Sequence, residues 1–197
     1  MSEVDDVRLL ERARRGDEVA FSTLFARHQG AIYRYAAHMA GHEHADDIVQ
    51  ETFLVVLRQS GRPDAPQSTV VGYLIGIARR LLLKRLTRRT DVGFEELDEH
   101  AIAGVPEQPT PLDELTRTEI IDAVRLAVQS LPRVYREVVV LCELQEMDYQ
   151  AAAAIIERPI GTVRSRLHRA RTLLAAKLAE TRAALVSESE HAGFRTP

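Results

Sequence analysis

The sequence predicts an all-α protein: two small helical domains joined by a flexible acidic linker. Three observations predict it. Ala, Leu, Arg and Glu dominate, tryptophan is absent, and Gly and Pro are sparse outside a few short stretches, a composition that favours helix. Apolar residues recur at helical spacing on both sides of the middle of the chain. Between those two regions, residues 91–112, "DVGFEELDEHAIAGVPEQPTPL", carry three prolines and many acids with no steady period. The 197 residues are enough for one ordinary domain or two small ones.

The first domain spans 1–90. Its start, "MSEVDDVRLLERARR", is acidic and then amphipathic, without the apolar stretch of a signal peptide. Asp17, just after Gly16, reads as the N-cap of a helix carrying Phe21, Leu24, Phe25, Ile32, Tyr35, Ala36 and Met39 near helical spacing. The turn "GHEH" interrupts it. Asp46 then opens "DDIVQETFLVVLRQ", where Ile48, Val49, Thr52, Phe53, Val56 and Leu57 form an apolar stripe. "SGRPDAPQST" reads as a loop. "VVGYLIGIARRLLLKRLTRR" is a helix, apolar first and basic later, so this half is a bundle of about four helices. The second domain spans 113–185. "IIDAVRLAVQSL" ends at Pro132, which also opens "PRVYREVVVLCELQ", since proline suits a first helical turn. The polar tail, 186–197, is expected to be frayed.

A formal net charge of -3 conceals strong segregation. Residues 79–89, "RRLLLKRLTRR", hold six positive charges and no acid. Residues 91–119 hold nine acids against Arg117 alone, and 158–177 are again purely basic. Basic clusters on separate amphipathic helices are the electrostatic footprint of nucleic-acid binding, although a single cluster reads equally well as a solvated helix face. No run approaches the roughly 20 apolar residues of a membrane helix. The one cysteine, Cys142, has no internal disulfide partner, which fits a reducing cytoplasm.

"YQAAAAII" and the helix beginning near Ile160, separated by "ERP", suggest a helix-turn-helix. Val163, Leu167, Ala170, Leu174 and Leu178 make one buried stripe on the second helix. Arg164, Ser165, Arg166, His168, Arg169 and Arg171 lie off it, mostly toward solvent. Such a helix fits the major groove, where arginine pairs with guanine O6 and N7. Arginines farther along grip phosphates, which position without specifying. The plainer alternative is a helical hairpin with a basic face.

From "SLPRVYREVVVLCELQEMDYQAAAAIIERPIGTVRSRLHRARTLLAAKL" the chain resembles the DNA-binding fourth region of bacterial RNA polymerase sigma factors, and within them the small extracytoplasmic-function (ECF) type. "AFSTLFARHQGAIYRYA", "DDIVQETFLVVL" and "VVGYLIGIARRLLLKRLTRR" resemble that family's second region, in the right order. The resemblance spans nearly all of residues 16–182. It implies a region 2 bundle and a region 4 helix-turn-helix. It implies that Asp46, Asp47, Gln50, Glu51 and Phe53 dock on the clamp of the largest subunit of core RNA polymerase. It implies that the segment 59–69 and the helix from Val71 melt and read the minus-ten promoter element, with Arg79, Arg80, Lys84, Arg85 and Arg88 as the basic track and Tyr73 as the nearby aromatic. A core role for Tyr73 is an equal alternative. Thr162, Arg164, Ser165, Arg166 and Arg169 would read the minus-thirty-five element. The acidic linker matches the family's connector, which runs through polymerase channels. An anti-sigma factor is an implied partner. The sequence departs from the family pattern at Tyr73 (commonly Trp), Arg80 (often Asn), Lys84 (often Asp), Glu157 (commonly Gly) and Ala151-Ala152 (commonly Glu-Ile).

Two rivals differ in class. His38, His42 and His44, followed by Asp46 and Asp47, could look like metal ligands, but no HExxH or cysteine pairing supports a metal. A conventional helix-turn-helix regulator shares the last segment, but usually dimerises and leaves "DDIVQETFLVVL" unexplained. No phosphate loop, nucleophile elbow or dinucleotide fingerprint occurs, so no cofactor, catalytic residue or small-molecule substrate is expected. No coiled-coil seam is evident, so the free chain is expected to be a monomer.

Overall fold

The structure, a computed structural model, describes residues 3–58, 69–87 and 117–192. The regular elements among them are helices: α1 (Glu3–Arg14), α2 (Glu18–Ala40), α3 (His42–Arg58), α4 (Val70–Thr87), α5 (Arg117–Gln129), α6 (Arg133–Val139), α7 (Tyr149–Ile156) and α8 (Ile160–Ala192). α6 runs on into a π-helical turn, Val140–Leu144. Most of the expected 59–69 segment, Arg88 and the acidic linker 91–112 lie outside the described residues.

Local chemistry sets the breaks. α1 and α2 are separated at Gly16, whose φ of +89° suits glycine. Asp17 is the N-cap of α2, and its carboxylate accepts from the Ala20 amide at 2.9 Å. That amide, together with the Arg12 guanidinium, holds the Asp17 carboxyl below its ordinary range. α2 ends at Gly41, φ +92°, whose amide donates to the Ala37 carbonyl. α3 starts at His42, four residues before the expected Asp46. A single glycine makes the break, and "HEH" is already helical.

α2 is the hub of the first half and packs against α1, α3 and α4. Leu10, Leu24, Ile32, Tyr35, Ile48, Phe53, Leu74, Ile75 and Leu82 are buried. The Phe53 ring meets Phe21 edge-on at 5.9 Å and Phe25 at 4.8 Å, separations typical of favourable aromatic pairs. Thr52 is buried without cost because its hydroxyl donates to the Ile48 carbonyl at 2.7 Å.

In the second half, Leu131, Val138, Leu141, Ile155, Ile156, Val163, Leu167 and Ala170 are buried. Pro132 caps α6, where its missing N–H costs no hydrogen bond. The π turn closes with the Gln145 amide donating to the Val140 carbonyl at 3.0 Å. Buried residues of the two halves form one continuous hydrophobic cluster. α2 touches α5, α6 and the π turn, and α4 lies along α7. The α8 helix continues to Ala192, beyond the expected start of the tail at 186, because no Gly or Pro falls between Gly161 in its first turn and Gly193.

Candidate nucleic-acid and protein interface

The helix-turn-helix is built on a turn that strains its backbone. Asp148 caps α7, its carboxylate accepting from the Ala151 amide at 2.8 Å. Glu157 ends α7 in the left-handed conformation, φ 56°, ψ 43°. That is the conformation for which glycine is the usual choice, and a larger residue takes it at a cost. Pro159 precedes α8, and its carbonyl accepts from the Thr162 amide at 2.9 Å.

Val163, Leu167 and Ala170 anchor α8 in the core, while Leu174 is half-buried against it. This turns Arg164, Ser165, His168 and Arg169 to solvent, with Thr162 and Arg166 at the edge. The Ser165 hydroxyl donates back to the Thr162 carbonyl at 3.1 Å. The Arg164 guanidinium stands 5.9 Å from the Tyr149 ring centroid, within cation–π range. Arg171 pairs with Glu143, which raises its pKa and fixes the far end of the strip. Tyr149 and Glu143 were not singled out by sequence reasoning. They become relevant only because α7 and the π turn pack beside α8.

On α3, Asp46, Asp47 and Gln50 are exposed and Glu51 is half-exposed. Phe53 is not part of this face: it is 2% exposed and belongs to the Phe21–Phe25 cluster. Leu54 and Leu57, 46% and 40% exposed, lie on the open side of the same helix. Periodicity places Leu57 on the apolar stripe of this helix and does not single out Leu54. The exposed face of α3 is therefore acidic with apolar members, suited to a basic and partly apolar protein groove.

On α4 the basic residues divide. Arg79 is largely buried and its Nε donates to Glu137 Oε1 of α6 at 2.9 Å. Arg80 is exposed, 4.0 Å from Glu157. Lys84 is exposed. Arg85 donates to Glu51 at 2.6 Å and lies 3.8 Å from Asp47. Tyr73 is half-buried, and its hydroxyl accepts from Arg14 at 2.7 Å while that guanidinium sits 5.5 Å from its ring centroid. The structure thus brings Arg79, Arg80 and Lys84 onto one helix, but several of these side chains already face acids. Among the described residues no cluster of three or more His, Cys, Asp or Glu could hold a metal ion.

Two family descriptions match the chain, Sigma-70 region 2 over residues 24–91 and Sigma-70 region 4 over residues 121–174. An ECF RNA polymerase sigma factor, SigE of Mycolicibacterium smegmatis, is 33% identical over 84% of this chain, which spans 65% of that longer protein. The ECF RNA polymerase sigma-E factor of Salmonella typhimurium is 32% identical over 87% of this chain and 93% of its own length. Among solved structures, the sigma factor RpoE from Bartonella quintana, in complex with the anti-sigma factor NepR, shares the fold. It has a TM-score of 0.60 and 24% identity over 80% of this chain and 96% of that one.

Proposed function

Because the chain belongs to the extracytoplasmic-function RNA polymerase sigma factors, we propose that its exposed faces divide that family's work. The protein is a sigma factor, which binds core RNA polymerase and directs promoter-specific initiation. In our reading α3 docks on the polymerase clamp through Asp46, Asp47, Gln50 and Glu51, with Leu54 and Leu57 supplying apolar contact. Phe53 supports that face from behind. α4 carries the minus-ten track through Arg80, Lys84 and Arg85, with Arg88 following in sequence outside the described residues and Arg79 joining once it is released from Glu137. A melted strand needs cations along its backbone and a ring for an unstacked base, and Tyr73 is the aromatic at hand. α8 enters the major groove with Thr162, Arg164, Ser165, Arg166 and Arg169 toward the minus-thirty-five element. The polymerase performs the chemistry and this chain contributes no catalytic residue. Its place is the cytoplasm with the polymerase, and an anti-sigma factor controls it.

One observation carries the reading. α8 buries Val163, Leu167 and Ala170 while Arg164, Ser165 and Arg169 face solvent at the start of a helix that follows a tight turn. A run-off transcription assay tests it. Purified protein is combined with sigma-free core polymerase on promoter fragments from its own genome. Transcripts that share a two-part upstream motif are expected. Stable binding to a palindrome without polymerase, and no transcripts, would instead select a conventional helix-turn-helix regulator.

A further inference from the structure

The C-terminal end of α1 is fixed to the bundle and reaches across to α4. Leu10 and Ala13, each 1% exposed, seat the helix in the core. Asp6 ties it to α2, with one carboxylate oxygen 2.5 Å from Arg27 and the other 3.2 Å from the His28 ring. Near its end Arg12 pairs at 2.6 Å with Asp17, the cap of α2. Arg14, the last residue of α1, therefore starts from a held backbone. Its guanidinium crosses to the first turn of α4. There Nη2 donates to the Tyr73 hydroxyl at 2.7 Å, and the cation stands 5.5 Å from the ring centroid. The root of Tyr73 is fixed as well. Its amide donates to the Thr69 carbonyl at 2.9 Å, and the Thr69 hydroxyl accepts from the Gly72 amide at 3.2 Å.

A tyrosine that only fills space does not need a cation. Its half-buried hydroxyl is satisfied by water or by a carbonyl, whereas holding an arginine in one rotamer costs side-chain entropy. What the pair adds is orientation. A charge-assisted hydrogen bond at the tip of the ring, and a helix at its root, leave the ring plane little freedom. An aromatic platform for an unstacked base works best when the ring is already in place, because its ordering cost is met before the base arrives.

We propose that Arg14 is a positioning residue for promoter melting: it locks the Tyr73 ring as a platform for the base that leaves the minus-ten duplex. The inference rests on the sigma reading and deepens the role given to Tyr73. It brings α1, which has no other assigned task, into the opening step. It also gives a physical reason for tyrosine where the family commonly has tryptophan, since a phenol has a polar tip that a partner can hold. An arginine that only complements the negative end of the α1 dipole acts independently of the Tyr73 hydroxyl. That difference separates the two roles.

The test uses the full chain with sigma-free core polymerase, on a promoter found by the run-off assay. 2-Aminopurine is placed in turn at each minus-ten position, and the fluorescence rise reports melting. Affinity for core is titrated separately. Arg14→Ala, Tyr73→Phe and the double variant are compared with wild type. Each single variant should slow melting roughly 10-fold, the scale of weakening one base–aromatic stack. The double variant should be no slower than either single, the mark of two groups acting as one unit. Affinity for core should match wild type throughout. Wild-type melting by either single variant, or additive slowing in the double, would overturn the positioning role. So would a loss of core affinity in step with the loss of melting, which makes Arg14 structural. Far-UV circular dichroism checks the helices. If Arg14→Ala loses helix, Tyr73→Phe decides alone, because it removes the hydroxyl and no charge: slowed melting at unchanged core affinity supports the role, and wild-type melting overturns it. If wild type with core opens no promoter, the sigma reading fails and the positioning role falls with it. If wild type opens the promoter and the variants match it, only the positioning role falls.

Discussion

Arg85 of α4 donates to Glu51 of α3 at 2.6 Å, with Asp47 3.8 Å away. One guanidinium therefore bridges the helix assigned to polymerase docking and the helix assigned to the minus-ten element. The pair is partly exposed, and such ion pairs contribute only about 0–1 kcal/mol to stability. Replacing Asp47 and Glu51 together with arginine puts like charges beside Arg85 and reverses the docking face. That double variant should lose detectable binding to core polymerase in a titration while its far-UV spectrum stays that of wild type. Wild-type binding would remove the docking role from this face.

We propose Arg164 as a base reader because it is exposed near the start of α8, where its guanidinium stands 5.9 Å from the Tyr149 ring centroid. Arg164→Ala should cost about 1–3 kcal/mol at a cognate minus-thirty-five site and relax preference at one base pair. Tyr149→Leu removes the ring face that orients the arginine. It should weaken discrimination at that same base pair more than affinity for unrelated DNA, while Tyr149→Phe should restore it. Competition binding against a set of single-base substitutions reads both. A uniform loss across all sites would make Tyr149 merely structural.

Glu157 occupies a left-handed position without being glycine. Glu157→Gly should relieve that strain. The gain is partly offset by the greater backbone entropy of glycine in the unfolded chain. A net stabilisation of about 0.5–1 kcal/mol is expected from chemical denaturation. The contact with Arg80, at 4.0 Å and largely exposed, is too weak to reverse the sign. A lower unfolding midpoint would show that the Glu157 carboxylate matters more than its backbone.

His38 is half-buried on α2 beside α6, and burial lowers its pKa, reinforced by His42, Arg125 and Arg136. A base whose folded pKa is depressed binds fewer protons in the folded state. Stability is therefore complete above the unfolded value near 6.5 and declines as pH falls toward the lower folded pKa. Between pH 7 and about 5.5 the wild type should lose more thermal stability than His38→Gln. Equal losses would assign the effect elsewhere.

Much of this protein was legible from the order of its residues. Helical periodicity, the Asp17 cap and Pro132 before α6 are local properties, and each depends on neighbours within a turn of chain. The outward strip of α8 followed from the same periodicity, because Val163, Leu167 and Ala170 leave only one face for Arg164, Ser165 and Arg169. Likewise the break at 41 was visible as a glycine, although one residue sufficed where a longer turn was expected.

What tertiary structure decided were the contacts between residues far apart in sequence. Periodicity places Phe53 and Leu57 on one stripe, but only packing determines that Phe53 closes against Phe21 and Phe25 while Leu57 stays exposed. A run of six cations at 79–89 looks uniform in sequence. In the fold Arg79 is buried against Glu137, Arg85 is bridged to Glu51, Arg80 lies exposed 4.0 Å from Glu157, and Lys84 is exposed. The physical reason is that pattern reports which face of a helix is apolar, whereas the partner of each charge depends on how helices dock. Glu137 pairs with Arg79 across 58 positions and with Tyr35 across 102, separations over which periodicity carries no information.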